Sequence, residues 1–165
     1  MLNFQLFPRS FGITADVEAV IKCFQLSYNR IKSPENNLNS DGVLKCLAAD
    51  LKLLNFKVET SKAKIKVPVL FSLNNKIDKY FDADAVSADG KIILEVEAGR
   101  AYVNNQFLKD VFQACMMPSV DYLILAVRND YRGGDDFSRI FQFFETLYIN
   151  GRLQLPLKGI VLIGY

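Results

Sequence analysis

KYFDADAVSADGKIILEVEAGR spans residues 79–100 and reads as a β-hairpin carrying four carboxylates on its two arms. Asp89-Gly90 between two runs of alternating character is a strong hairpin signal, because a two-residue type I′ loop needs positive φ at both positions. With that loop Ala88 lies opposite Lys91, which sets Asp84 opposite Glu95 and Asp82 opposite Glu97. All four acids then share one face, while Phe81, Ala83, Ala85, Ile92, Leu94 and Val96 share the other. A sheet with one buried face requires this alternation. Like charges placed directly opposite cost up to about 1 kcal/mol per pair, so the doubled arrangement asks for a bound divalent cation.

Composition narrows the chemistry. The chain has 165 residues, half of them apolar, which predicts one domain over 1–165 with a substantial core. A net charge of +2 neither announces nor excludes nucleic acid. Cys23, Cys46 and Cys115 are unclustered and sit among apolar neighbours, which predicts reduced buried thiols and a cytoplasmic setting. No basic leader and no run of membrane-spanning length is present, so a soluble protein with no membrane partner is expected. There is no histidine. The usual general base is therefore missing, and acid–base or metal work falls to carboxylates, lysines or metal-bound water; oxygen ligands favour Mg²⁺, Mn²⁺ or Ca²⁺, of which Mg²⁺ is expected, with Mn²⁺ as substitute.

Working outward, Thr14 caps a predicted helix with Val17, Val20, Ile21, Phe24, Tyr28 and Ile31 at helical spacing, ending before Pro34. Ser40 or Asp41 caps a second, with Val43, Leu44, Leu47, Leu51 and Leu54 on one side. Phe56, Val58 and Thr60 then mark a strand, and Ile65, Val67, Val69 and Phe71 another, which Pro68 assigns to an edge or bulge. Lys62, Lys64, Lys66, Lys76 and Lys79 make this the most basic part of the chain, either as edge protection or as a phosphate-contacting rim. After the hairpin come a helical stripe from Val103 to Cys115, an apolar strand over 122–127, a helix with Phe137, Ile140, Phe141, Phe144, Leu147 and Tyr148 inward, and a last strand over 160–163. The order predicts an α/β protein, a mixed sheet with helices on both faces.

Asp84 followed by Glu95-Val96-Glu97, a helix and a buried strand resembles the PD-(D/E)XK nuclease superfamily, over roughly residues 41–132. The resemblance implies a restriction-endonuclease-like mixed central sheet of about five strands flanked by helices on both faces. It implies a metal-dependent hydrolase, an endonuclease cutting DNA, with Mg²⁺ held by Asp84, Glu95 and the Val96 carbonyl. Ala83 stands where that family has proline, and Glu97 stands where most members have the lysine that positions or activates the attacking water. An E-x-E form is similar to that of some type II restriction enzymes, and is equally what an inactive copy shows. In the active reading the metal polarises a phosphodiester oxygen and lowers the pKa of a bound water. Glu97 accepts the water's proton, Asp82 adds a ligand or a supporting group, and Arg100 supplies the positive charge of the missing lysine.

Further out, Asn105 and Gln106 at the next helix start, with Arg128, Tyr131 and Arg132 after the buried strand, are candidate nucleic-acid contacts, Tyr131 by stacking and the arginines by phosphate. Each has a plain alternative as helix surface or sheet-capping loop. Cutting two strands commonly takes two centres, so a homodimer is plausible. The rival to an endonuclease is a catalytically inactive nuclease-like module that binds nucleic acid or a protein partner; a third possibility is an interaction protein with neither metal nor DNA.

Overall fold

In the computed structural model, which describes residues 1–60 and 63–165, the chain runs β1 (Asn3–Phe7), α1 (Ala15–Ile31), α2 (Ser40–Leu53), β2 (Lys57–Val58), β3 (Ile65–Ser72), β4 (Lys76–Ala83), β5 (Ala85–Val86), β6 (Ile92–Glu97), α3 (Phe107–Met116), β7 (Tyr122–Val127), α4 (Asp136–Asn150) and β8 (Gly159–Gly164). Six strands form one mixed sheet in the order β1-β8-β7-β6-β5-β2, one more than the sequence predicts. The extra strand is β1, whose apolar residues precede Pro8 and whose strand character comes from pairing antiparallel with β8. β6, β7 and β8 are parallel, joined through α3 and α4. Such strands are buried on both faces, which accounts for their near-continuous apolar runs.

Alternation along β6 divides the interior in two. Ile92, Leu94 and Val96 pack with Val20, Phe24, Leu47 and Leu51 of α1 and α2. Ile93 packs on the opposite face with Phe107, Val111 and Phe144 of α3 and α4. Glu95 and Glu97 follow the parity of Ile93 and so lie on the α3 side. The protein is thus a mixed α/β domain with helices on both faces of the sheet. No helix among the described residues is long and apolar enough to cross a membrane.

Capping chemistry sets the first helices. Thr14 Oγ1 accepts from Val17 N–H at the start of α1, as its sequence predicts. At α2 the cap is Asn39 rather than Ser40 or Asp41: its Oδ1 accepts from Gly42 N–H at 2.9 Å. Asn39→Ala is expected to lower stability by about 1 kcal/mol, whereas Asn39→Asp, an equally good cap, stays within a few tenths. Urea denaturation of both variants checks this.

The hairpin keeps its expected register, with Ala85 opposite Leu94 and Val86 opposite Ile93, but its turn and length differ. Gly90 N–H closes the turn on the Ser87 carbonyl at 2.9 Å, and of the turn residues only Gly90 has positive φ (73°). Asp89 is not left-handed; its carboxylate instead accepts from Ser87 Oγ at 2.6 Å and Lys91 N–H at 3.1 Å. These side-chain bonds stabilise a wider loop than a two-residue type I′ turn.

The first arm also breaks at Asp84. Its carboxylate Oδ2 takes Val96 N–H at 2.7 Å, and its carbonyl takes Glu59 N–H at 2.7 Å. A side-chain acceptor thus replaces main-chain pairing. Upstream of the break β4 leaves the sheet and pairs with β3 in a separate two-stranded ribbon, where Asp82 lies opposite Lys66. Asp82 is therefore exposed and is not opposite Glu97, so only three of the hairpin's four acids lie together. In the ribbon the register slips after Pro68, matching the bulge its proline predicts. Lys66 Nζ donates to Tyr80 Oη at 2.7 Å and Lys79 lies over the Phe81 ring; Lys62 lies outside the described residues.

Candidate active site

Three carboxylates meet where β5 leaves off and β6 ends. Asp84 sits at the strand break, and Glu95 and Glu97 project from alternate positions toward α3. A fourth comes from α3 itself. Phe107, Asp110, Val111 and Ala114 form the buried stripe of that helix, and Asp110 is only 3% exposed. Asp110 was absent from the candidates because an acid reads as helix surface. Its signal is its place three residues after Phe107 and four before Ala114, on the apolar stripe.

Crowding and burial act on all four in one direction. Burial pushes the Asp84 carboxyl up to about 6, against the pull of the Val96 N–H. Glu95 rises well above the usual carboxylate range through burial, then through the charges of Asp84 and Asp110. Glu97 is pushed up to about 8 by burial, then by the charge of Asp110 and by hydrogen bonding to it. Asp110 is raised by burial, with Glu97 and Lys109 opposing. The pair therefore shares a proton carried on Glu97. Asp110 Oδ2 is buried with no hydrogen-bond partner among the described residues.

Among the described residues two cations act on the acids, Lys109 and Lys64. Lys109, on α3, lowers the pKa of Glu95, Glu97 and Asp110 and lies 3.6 Å from Asp110 Oδ1. Lys64 pairs with Glu59, a nearly buried acid whose charge raises Asp84. Arg100 is exposed at a left-handed position (φ 63°) and makes no ion pair among the described residues. The positive charge expected from Arg100 comes instead from the side of α3.

For a cation, the donor set is hard oxygen. In a strand the N–H and C=O of one residue point to the same edge, so the Val96 carbonyl faces the edge on which Asp84 takes its N–H. Asp84, Glu95 and that carbonyl suit a hard divalent ion, and Asp110 Oδ2 is an oxygen left without a donor. Among the described residues no three His, Cys, Asp or Glu side chains are grouped to hold a metal ion as they stand.

The remaining candidates fall elsewhere. Asn105 lies in a short turn and Gln106 caps α3; both are exposed. Arg128, placed among surface contacts by sequence, is 7% exposed: its Nη1 donates to Asn37 Oδ1 at 3.0 Å and its Nη2 to the Leu38 carbonyl at 2.5 Å. It ties the loop before α2 to the end of β7. Arg128 and Arg132 flank the Tyr131 ring at 5.6 and 5.5 Å from its centroid. Gly99, two residues past Glu97, packs directly on that ring: a Cβ there would lie 2.6 Å from Tyr131 Cε2. Gly99→Ala is therefore expected to cost about 1–3 kcal/mol, read by urea denaturation, because the ring must shift.

No protein-family model matches the chain, and no curated protein matches it.

Proposed function

We propose that the chain is a Mg²⁺-dependent endonuclease of restriction-endonuclease-like fold, hydrolysing DNA phosphodiester bonds with Asp84, Glu95 and Glu97. The observation that carries this reading is the convergence of these acids with Asp110 at the end of β6, every one raised in pKa, first by burial. When bound, a hard divalent cation supplies positive charge and polarises a phosphodiester oxygen. Asp84 and Glu95 are the side chains that would hold it, with the Val96 carbonyl. Val96 N–H fixes the Asp84 carboxylate in place. Glu97 would act as the base only in its ionised form, which the positive charge of a bound cation would favour against the pull of burial, and would then accept a proton from the attacking water beside Asp110. Lys109 offsets negative charge on the α3 side.

One observation favours a second reading, a nuclease-like module without cleavage that binds nucleic acid or a protein partner. Burial and the neighbouring Asp110 favour a proton on Glu97, and no acidic trio among the described residues is set for a metal. Incubation of supercoiled plasmid with the protein and Mg²⁺ or Mn²⁺ separates the two. Nicking that EDTA abolishes is the expected result. Retained DNA binding without nicking under either metal supports the second reading. Sedimentation of the protein with a cognate duplex tests the homodimer.

A further inference from the structure

A second feature lies past the carboxyl ends of β6 and β7, on the side of the loop before α2. It is a polar cleft of about 540 Å³, lined among others by Asn37, Asn39, Ala98, Arg128, Tyr131 and Arg132. Ala98 follows Glu97 directly, so the cleft adjoins the acid cluster along the chain.

Its hydrogen-bonding character is one-sided. Asn37 Oδ1 is occupied by Arg128 Nη1, and Asn39 Oδ1 by Gly42 N–H. Each asparagine therefore has its amide N–H₂ left to offer, and both side chains are exposed. Arg132 adds an exposed guanidinium. The N-terminus of the 14-residue α2 begins at Asn39, adding the positive end of its dipole. Asp130, the acid of the lining, already spends Oδ1 on Gly133 N–H at 3.0 Å. Independently, Arg128 lines the cleft while more than nine-tenths buried, its Nη atoms spent on Asn37 and Leu38, so that it contributes a fixed positive charge from beneath. The free side-chain donors of Asn37, Asn39 and Arg132 face a single acid, Asp130.

We infer that this cleft is a phosphate subsite that holds the nucleic-acid strand beside the scissile bond, with the Tyr131 ring next to it as a platform for a base. The inference rests on reading the acid cluster as a phosphodiester-hydrolysing site. Phosphate is the chemistry that takes amide and guanidinium donors together with a helix N-terminus, and an aromatic ring beside it suits a nucleotide over a free anion.

Two aspartate substitutions test it without disturbing the fold. In Asn39→Asp the carboxylate still caps α2, and in Asn37→Asp it still accepts from Arg128, yet each exchanges the free N–H₂ for a negative oxygen. The double variant is expected to bind a labelled single-stranded oligonucleotide at least ~10-fold more weakly than wild type in fluorescence anisotropy, with unchanged melting temperature. Arg132→Ala should lower the salt dependence of binding by about one counterion. Binding is measured in Ca²⁺ and in EDTA, apart from cleavage. In parallel, the side-chain amide NMR signals of Asn37 and Asn39 should shift with a thymidine trinucleotide lacking terminal phosphates. Shifts with inorganic phosphate alone would overturn the strand reading, and so would unchanged affinity in the double variant. If plasmid is never nicked but the amide shifts and the affinity loss are seen, the hydrolase reading falls and the subsite stands; nicking without either effect removes the subsite alone.

Discussion

In metal-free buffer the melting temperature of the wild-type protein is expected to fall as pH rises from about 5 to about 8, and Glu95→Gln with Glu97→Gln to remove most of that fall. Unfolded carboxyls titrate near 4 to 4.5. In the folded chain Asp84 is raised to about 6, Glu97 to about 8, and Glu95 and Asp110 are raised as well. The folded state thus holds more protons than the unfolded state across this window, so stability decreases with rising pH. The loss is absent below the unfolded values and continues as pH rises through the folded value of about 8 at Glu97. Its size is roughly 2 kcal/mol or more for the cluster, which for a chain of this length is a shift of roughly 4–8 °C. With no histidine in the chain, little else in the protein titrates between 5 and 8 to mask it. Adding Mn²⁺ at pH 8 should reverse the sign: ligand at about 100 times its dissociation constant stabilises the wild type by about 2.7 kcal/mol and the double variant scarcely at all. Scanning calorimetry from pH 5 to 8.5, with EDTA or Mn²⁺, gives both curves. A wild-type curve in EDTA that is flat or rises with pH would show that the carboxyls do not confront one another as described.

Asp84→Asn and Glu95→Gln are each expected to lower plasmid nicking by about 10²–10³-fold or more, the usual cost of removing a group that stabilises charge in a transition state. Both replacements keep volume and remove charge, so folding should survive; Glu95→Gln should even melt higher than wild type in EDTA. That opposition, a gain in stability with a loss of activity, distinguishes a working acid from a structural one, whose removal lowers both. Asp84→Asn carries one added element, since its side chain can still accept the Val96 N–H through Oδ1 and so preserve the strand break. Initial rates at matched Mg²⁺ concentrations, with isothermal titration of Mn²⁺ into the same proteins, separate lost cation binding from lost chemistry. Nicking unaffected by Glu95→Gln would assign the activity to another protein in the sample.

Much of this was legible in local pattern. Helical spacing locates α1 and α4, the apolar run over 122–127 matches β7 to the residue, and the pairing of 85–86 with 93–94 follows from Asp89-Gly90 even though the turn itself is wider. Local pattern failed where a residue's conformation depends on a distant partner. β1 is an ordinary apolar stretch until β8 offers it an edge. Asp82 alternates in step with Asp84, yet Lys66 and the rest of β3 draw it into the ribbon. Arg128 looks like a loop cation until Asn37 and Leu38 take its guanidinium inside.

The amino-acid sequence by itself removes imidazole as base or ligand and clusters carboxylates over 82–97. It also sets the register of 85–86 against 93–94, which carries Asp84 toward Glu95 although the arm breaks at Asp84 itself. Only the tertiary structure decides what surrounds them. Packing α3 against the sheet buries Asp110 against Glu97, brings Lys109 beside the acids, and excludes the water that would hold their carboxyl pKa values near 4. Burial and charge proximity across the chain are sums over distant partners, and no window of sequence contains them.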